Sequence, residues 1–320
     1  MKCKEFYFNG EENINIHVYK WEDDCVEPKG VVQISHGMCE TAIRYEYFAK
    51  ELTKNGYIVY INDHRGHGKT AKTLDNLGHL ADKNGFDCLV KDMNTLTNII
   101  KKENPDLPLY LFGHSMGSFA SQRYIMEYKD NLDGLILSGS NGDQGFKLDL
   151  AKVVTTFIVR KYNREYRSRL LDKLIFSGNN KLFRPSRTDF DWLSRDEKEV
   201  DKYVNDIYCG TLVTCGFFYD LICGLKTIEK KKNLKKIPLD LPIYIMSGDK
   251  DPVGLNGKGI LRLMDRYTKL GVKHISCKLY NGGRHEMLHE INKDEVINDI
   301  ITWLNQQNIY YNKLKLGISL

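Results

Sequence analysis

A serine between two glycines is the residue of this sequence best placed for covalent chemistry. Gly113, Ser115 and Gly117 fit the pattern G-x-S-x-G, and the apolar run 109–112 precedes them. A strand that turns sharply into a helix here would expose the serine beside the free N–H groups of the helix. The glycines would let strand and helix pass closely. We predict that Ser115 is a nucleophile; the alternative is a glycine-rich turn with a structural serine.

A serine hydroxyl needs a base, and the base needs an acid that orients it. Asp249 and Asp251 follow the predicted strand 243–247, and His285 follows the last predicted strand, 274–280, on a glycine-flanked loop. Because the carboxyl ends of parallel strands lie at one rim of a sheet, we expect these side chains to meet the serine there. Spacing alone does not choose between Asp249 and Asp251, and either could instead cap the next helix.

An acyl-transfer site also needs two N–H groups that bind the developing oxyanion. One should be the amide of Met116, the residue after the serine. The other should come from the loop after the strand 31–35, where Gly37 would let the backbone turn inward and Met38 is the better candidate. His36, in the same loop, is more simply explained by a structural hydrogen bond than by catalysis.

A second motif, at residues 285–289, reads H-E-x-x-H and would mean a zinc site on a helix. The extended form needs a glycine and a third histidine, where this sequence has Asn292 and Glu295. The other form needs a distant glutamate, and no acidic residue follows Asp299. We therefore predict neither a metal nor a cofactor, and we interpret His289 as a surface or packing residue.

Short apolar runs alternate with helical stretches along most of the chain. Strands are predicted at 14–21, 31–35, 57–62, 109–112, 134–138, 243–247 and 274–280, and helices at 44–55, 85–102, 116–129, 256–270 and 295–307. Continuous apolar strands are typical of a sheet covered by helices on both faces, so we predict an α/β fold with a mostly parallel sheet. The runs 5–8 and 14–21, separated by a turn at Asn9-Gly10, predict an antiparallel hairpin at the sheet edge.

The alternation stops in the middle of the chain. Residues 146–236 contain 20 Lys and Arg against 12 Asp and Glu, a net charge of +8. Because a structureless loop of this length is improbable in a compact domain, we expect a helical cap over the C-terminal edge of the sheet. Residues 1–145 and 237–320 would then form the core. The lysines near residue 230 are most simply a solvated return linker, and contact with an anionic membrane surface is the alternative.

The overall composition excludes several classes of protein. The chain has 320 residues, of which 42% are hydrophobic and 28% charged, so disorder is excluded. A net charge of +5 is too small to indicate nucleic-acid binding. No apolar run reaches the roughly 18 residues of a membrane span, and the N-terminus does not have the pattern of a secretory signal. The eight cysteines form no C-x-x-C pair, which predicts free thiols and a cytoplasmic location.

Together these segments resemble the α/β serine hydrolases that include monoglyceride lipases, lysophospholipases and serine aminopeptidase-like proteins. The resemblance rests on His36-Gly37-Met38 with Glu40 and Tyr45, on the runs 63–68, 113–117 and 248–252, and on His285-Glu286. It implies an α/β-hydrolase fold and favours Asp251, the aspartate before the proline, as the triad acid. Residues 187–206 look like the cap of bacterial lysophospholipase-like members, and the cap sets substrate choice in this family.

We therefore expect an esterase that works through an acyl-enzyme, with a monoacylglycerol or a lysophospholipid as substrate. An aminopeptidase or amidase with the same triad is one alternative. It would need an acidic residue that binds the substrate's amine, such as Asp143 or one in the cap. A binding protein with this fold and no activity is the other alternative, although such proteins usually lose a member of the triad.

Overall fold

Eight strands form the centre of the protein in the computed structural model, which describes residues 1–142, 145–176 and 178–315. The strands are β1 (Lys2–Asn9), β2 (Asn15–Glu22), β3 (Gly30–Ser35), β4 (Tyr57–Asn62), β5 (Leu109–His114), β6 (Gly134–Ser138), β7 (Ile243–Gly248) and β8 (Ile275–Tyr280). They lie in the order β1-β2-β4-β3-β5-β6-β7-β8. The pairs β1/β2 and β2/β4 are antiparallel and the others are parallel, which confirms the predicted mostly parallel α/β sheet.

Helices cover both faces of this sheet. The helices of the described chain are α1 (Glu46–Lys54), α2 (Gly85–Glu103), α3 (Met116–Glu127), α4 (Phe146–Lys161), α5 (Arg169–Phe176), α6 (Glu197–Asn205), α7 (Cys215–Ile228), α8 (Lys231–Leu234), α9 (Lys258–Leu270) and α10 (Lys293–Lys315). One core joins the sheet to α2, α3, α7 and α9, and a second core joins it to α1 and α10. Strands β3, β4, β5, β6 and β7 are buried at every residue, as their mostly apolar sequences predict.

The edge hairpin has a longer connection than predicted. Asn9 pairs with Asn15 inside the sheet, so residues 10–14 form the connection instead of a turn at Asn9-Gly10. Its short 3-10 turn has Glu12 and Asn13 in the left-handed region, at φ 58° and 57°. The amide of Glu11 donates to the Asp92 carboxylate at 2.8 Å. Contacts with a distant helix therefore fix this turn, and the local sequence does not reveal them.

Helix boundaries also differ from the predicted ones. Helix α9 begins at Lys258 rather than at residue 256, because Leu255, Asn256 and Gly257 have positive φ values of 52°, 54° and 84° that no α-helix holds. A 3-10 turn, Ala42–Tyr45, takes the place of the first turn of the predicted helix 44–55. Helix α10 runs to Lys315, eight residues beyond its predicted end.

The segment 146–236 contains the helices α4 to α8 and no strand among its described residues. Helix α7 packs against α2 and α3, and its Phe217 and Phe218 are buried in the core. In contrast, α4 exposes Leu150, Val153 and Phe157 on one face. One part of this segment is thus built into the core, and another part presents apolar side chains to solvent. In the described part of the chain, no helix has the length and apolarity needed to cross a membrane.

Candidate active site

Ser115 lies at the turn between β5 and α3, in a strained backbone conformation with φ 51° and ψ −118°. Chain packing explains the two glycines around it. A Cβ on Gly117 would lie 2.0 Å from the carbonyl oxygen of Ser35, and one on Gly113 would lie 2.4 Å from the Ser121 hydroxyl. No larger residue fits at either position. The sequence motif therefore forms the predicted strand-turn-helix, with the serine at its apex.

Two hydrogen bonds connect Ser115 to the predicted base and acid. The Nε2 atom of His285 lies 2.9 Å from Ser115 Oγ, and the Nδ1 atom of His285 lies 2.9 Å from Asp251 Oδ1. Asp251 is fully buried, and its carboxylate also accepts from the Ser247 hydroxyl at 2.7 Å and the Val253 amide at 2.9 Å. The three side chains therefore form one continuous line of hydrogen bonds at the carboxyl ends of β5, β7 and β8.

Asp249, the competing acid, has a different position. Its carboxylate accepts a hydrogen bond from the amide of Gly282 at 2.8 Å, in the loop that leads to His285. It does not contact the imidazole of His285. It also does not cap α9, the role that the sequence analysis offered for whichever aspartate is not the acid. Gly282 has φ +69°, so the loop turns here in a conformation that glycine adopts easily. Asp249 thus stabilises the loop that carries His285.

The charges of the histidine and the aspartate stabilise each other. Burial by itself would lower the pKa of His285, but the charge and hydrogen bond of Asp251, together with the charges of Glu286 and Glu40, raise it. Burial would raise the pKa of Asp251, but the imidazole and the hydrogen bonds to its carboxylate lower it. The carboxylate therefore stays ionised, and the imidazole is a stronger base than an ordinary histidine.

The loop after β3 approaches the serine closely. A Cβ on Gly37 would lie 3.2 Å from the Cβ of Ser115. The amide of Gly37 donates to Glu40 Oε1 at 2.5 Å, and the amide of Cys39 donates to His67 Nε2 at 3.2 Å. Within the described residues the amide of Met38, between them, donates to no protein group. Of these three amides, that of Met38, the predicted oxyanion donor, is thus the one left free to bind a ligand.

The other predicted donor, Met116, is the first residue of α3. The first amides of a helix have no carbonyl partner within it. In the same turn, the amides of Ser118 and Phe119 donate to the carbonyl of Ser115 at 2.9 and 3.2 Å. The Met116 amide has no such bond among the described residues, so it is also free at the serine.

The histidines of the neighbouring loops have structural hydrogen bonds. His36 donates through Nδ1 to the carbonyl of Gly37 at 2.7 Å and accepts from the amide of His64 at 2.9 Å. His67 donates to the carbonyl of Arg65 at 2.9 Å. Burial lowers the pKa of His36 to about 4 and that of His67 to about 3. Both rings are neutral near pH 7 and support the loops beneath the site, as the interpretation of His36 predicts.

A buried ion-pair network beside the triad was missed by the sequence analysis. Arg44 donates to both carboxylate oxygens of Glu286, at 2.8 and 2.6 Å, and to Glu40 at 2.6 Å. Glu40 also holds the Gly37 amide, and Glu286 follows the histidine directly. The network therefore joins the loop after β3 to the histidine loop. Glu40 and Arg44 are four residues apart, but nothing in their spacing reveals Glu286 as their partner.

The H-E-x-x-H segment forms part of this network. His289 is 9% exposed, its Nδ1 lies 3.3 Å from Glu286, and its Nε2 lies 3.2 Å from the carbonyl oxygen of Arg44. It is a packing residue rather than a surface one. No group of three potential metal ligands occurs among the residues that the structure describes.

A cavity of about 1120 Å³ opens above Ser115. Much of its wall is apolar and comes from both the core and the segment 146–236. This part includes Phe119, Phe176, Leu193, Leu212, Leu221 and Val253. Lys173, Arg184 and Arg262 also line the cavity, and none has an ion pair within the described part of the chain. Asp143, a predicted amine-binding candidate, lies outside the described residues.

A strained serine, a histidine and an aspartate at the carboxyl ends of parallel strands define a serine hydrolase of the α/β type. The chain belongs to the family described as serine aminopeptidase, S33, whose model matches residues 26–292. It is an ester hydrolase of this family, which confirms the predicted resemblance and reaction class.

Known proteins similar to this chain are lipases and esterases. A monoacylglycerol lipase of Mycolicibacterium smegmatis is 29% identical over 304 residues, covering 94% of this chain and 96% of that protein. The monoglyceride lipase of Rattus norvegicus is 25% identical, covering 88% and 84%. The crystal structure of a thermostable carboxyl esterase from Bacillus coagulans superimposes with a TM-score of 0.89 at 28% identity, covering 96% of this chain and 99% of that one.

Proposed function

We propose that this ester hydrolase acts through Ser115, His285 and Asp251. Ser115 attacks the ester carbonyl while His285 takes the hydroxyl proton and then delivers it to the leaving alcohol. A water molecule, activated by the same imidazole, releases the acid from the acyl-enzyme. Asp251 keeps the imidazole in the required tautomer and stabilises its positive charge. The pair of 2.9 Å contacts on the two nitrogens of His285 is the observation that carries this assignment.

The oxyanion of the tetrahedral intermediate would bind to the amides of Met38 and Met116. Both amides lack a protein partner within the described residues, and both belong to segments that adjoin Ser115. Preorganised donors of this kind lower the barrier because they need no reorganisation as the charge develops. The side chains of the two methionines have no part in this role.

A lipid-like ester, such as a monoacylglycerol or a lysophospholipid, is the substrate that we propose. The apolar wall of the cavity offers a place for an acyl chain. The similar proteins from Mycolicibacterium smegmatis and Rattus norvegicus are described as monoacylglycerol and monoglyceride lipases, and one from Bacillus subtilis as a phospholipase. Lys173, Arg184 and Arg262 have no ion pair among the described residues, and they favour a polar group with negative charge, as in a lysophospholipid.

We further propose that residues 146–236 form a cap that contacts lipid surfaces. Leu150, Val153 and Phe157 lie on one exposed face of α4, and Leu170 and Leu174 are exposed on α5. The segment carries a net charge of +8, which favours anionic lipid. The protein should therefore co-sediment with anionic vesicles. Replacing Leu150, Val153 and Phe157 by serine should reduce the bound fraction. The matched change Leu261→Ser, at an exposed position of α9, should leave it intact.

A peptide or amide substrate is the second candidate, because the family description includes aminopeptidases. Asp172 and Asp189 line the cavity and have no ion pair among the described residues, so they could bind an amine. Hydrolysis of monooleoylglycerol, lysophosphatidylglycerol, p-nitrophenyl acetate and an aminoacyl anilide decides between the candidates. We expect the two lipids to be cleaved with the highest kcat/KM, and a preference for the anilide would contradict the lipid proposal.

The cytoplasm is the compartment that we propose for this enzyme. All eight cysteines are free thiols, which is typical of proteins in a reducing compartment.

A further inference from the structure

The segment around Trp192, within residues 146–236, is hydrogen-bonded to the loop that carries His285. The amide of His285 donates to the carbonyl of Trp192 at 3.3 Å, and the amide of Glu286 donates to that of Leu193 at 2.8 Å. The Ser194 hydroxyl donates to the carbonyl of His289 at 2.8 Å. This short part of the segment is therefore fixed to the histidine loop by its backbone.

The edges of the His285 imidazole are already occupied. Its two nitrogens contact Asp251 and Ser115, and Gly139 approaches its Cε1 so closely that a Cβ there would lie 2.9 Å away. Two aromatic rings, those of Trp192 and His114, pack against the imidazole of His285. The ring centroid of Trp192 lies 5.0 Å from that of His285 with a tilt of 36°, and the ring centroid of His114 lies 4.8 Å away with a tilt of 47°.

We propose that Trp192 is a positioning residue for the reaction, whose indole ring holds the His285 imidazole in place and stabilises the imidazolium formed when Ser115 loses its proton. The face of an indole ring attracts a cation within about 6 Å of its centroid, and Trp is the most effective aromatic residue in this interaction. The attraction is absent while the imidazole is neutral, so it favours the transition state over the ground state. This inference rests on the triad assigned under the proposed function.

The electrostatic surroundings leave this role to Trp192. The ionisable groups that face His285 are Asp251, Glu286, Glu40 and His114. The two glutamates are paired with Arg44, as described above. Burial, followed by the charge of His285, lowers the pKa of His114 to about 4, so this second ring is neutral near pH 7. A neutral imidazole lacks the strong quadrupole of indole.

Phe190 provides a matched control on the same segment. Its ring also lines the cavity, but it packs against Tyr203 with a centroid distance of 5.0 Å and does not contact His285. Trp192→Leu removes the aromatic face and keeps an apolar side chain over the imidazole. We expect kcat for p-nitrophenyl acetate to fall about two- to fivefold in this variant. Phe190→Leu should change KM for long esters with little effect on kcat.

The pH profile is the readout that a purely structural role would not move. Loss of the cation–π contact should shift the acid limb of kcat/KM to lower pH by about half a unit in Trp192→Leu. Trp192→Phe should lie between that variant and the unmodified enzyme, and Phe190→Leu should keep the original limb. An unshifted limb in a folded Trp192→Leu variant would overturn the inference.

Indole fluorescence provides an independent measurement without substrate. The other two tryptophans, Trp21 and Trp303, are buried against tyrosines, so a protonated imidazole should quench only Trp192. Tryptophan emission should decrease as the pH drops through the acid limb of kcat/KM. This decrease should disappear in His285→Gln and in Trp192→Phe. A titration that persists in His285→Gln would contradict the contact. Turnover that survives Ser115→Ala would instead contradict the proposed function, whatever Trp192 does.

Discussion

The Nε2 atom of His285 lies 2.9 Å from the Oγ atom of Ser115, although 170 positions separate the two residues in the sequence. Each sits at the carboxyl end of a strand, where short loops bring side chains from distant segments to one rim of the sheet. The Nδ1 atom of His285 is hydrogen-bonded to Asp251, and the ring of Trp192 packs against the imidazole. The geometry of the proposed base is therefore fixed by the protein itself.

Asp251→Asn should reduce kcat by about four orders of magnitude, as replacement of a triad acid does when it leaves the wrong tautomer of the imidazole. Asp249→Asn is the control, because an asparagine oxygen can still accept from the amide of Gly282. We expect that variant to keep most of its activity. Steady-state hydrolysis of a soluble ester measures both variants, and equal, mild losses would mean that Asp251 is not the acid.

The activity should depend on pH through His285. A protonated imidazole cannot accept the serine proton, so kcat/KM should fall as the pH drops through the pKa of this group. Burial lowers that pKa, but the carboxylates of Asp251, Glu286 and Glu40 together raise it above 6.5, so activity should already decline above this value. Asp251→Asn removes the negative charge and should move the decline of the residual activity to lower pH. A flat profile between pH 5 and 8 would contradict His285 as the base.

Gly117→Ala should destabilise the protein or prevent its folding. The added Cβ would lie 2.0 Å from the carbonyl oxygen of Ser35, and its nearest neighbours are all backbone atoms of Ser35 and His36, which cannot move away as a flexible side chain could. Overpacking of this kind costs about 1–3 kcal/mol, occasionally more. Gly178→Ala is the control, since among the described residues, its chain neighbours aside, no atom lies within 4 Å of its Cβ position. Urea unfolding compares the two, and equal stabilities would show that the turn around Ser115 is less tightly packed than these distances indicate.

Arg44→Met should destabilise the fold, because it leaves the carboxylates of Glu40 and Glu286 buried without their partner. Breaking a buried pair from one side costs about 3–5 kcal/mol in the free energy of unfolding. An exposed pair provides the comparison: Lys54→Ala removes the contact with Glu51 and should cost less than about 1 kcal/mol. A small loss for Arg44→Met would mean that the network contributes little to stability.

Much of this site could be predicted because its chemistry imposes local patterns. The turn that exposes the proposed nucleophile needs small neighbours at Gly113 and Gly117, and this requirement is visible in five consecutive residues. His285 could be selected among nine histidines because it follows the last strand on a glycine-flanked loop. Both signals are short-range, and the order of the elements along the chain then places them at one rim.

Other parts depend on contacts that no local pattern encodes. The partner of Arg44 is 242 positions away, and the contact of Trp192 with His285 depends on how one part of a variable segment packs. The choice between Asp249 and Asp251 was open from spacing, because both aspartates follow β7 and only the fold distinguishes which one faces the imidazole. The left-handed residues Leu255 and Asn256 delay the start of α9, and their amides bond to the carbonyls of Pro252 and Asp251 at 3.1 and 2.7 Å. Neither residue type marks such a turn in the sequence.

Labelling with a fluorophosphonate, followed by mass spectrometry of the peptides, tests the central assignment most directly. We predict one adduct, on Ser115, and no labelling or ester turnover in a Ser115→Ala variant whose unfolding curve matches that of the original protein. An adduct on another residue, or full esterase activity in the folded Ser115→Ala variant, would contradict the account.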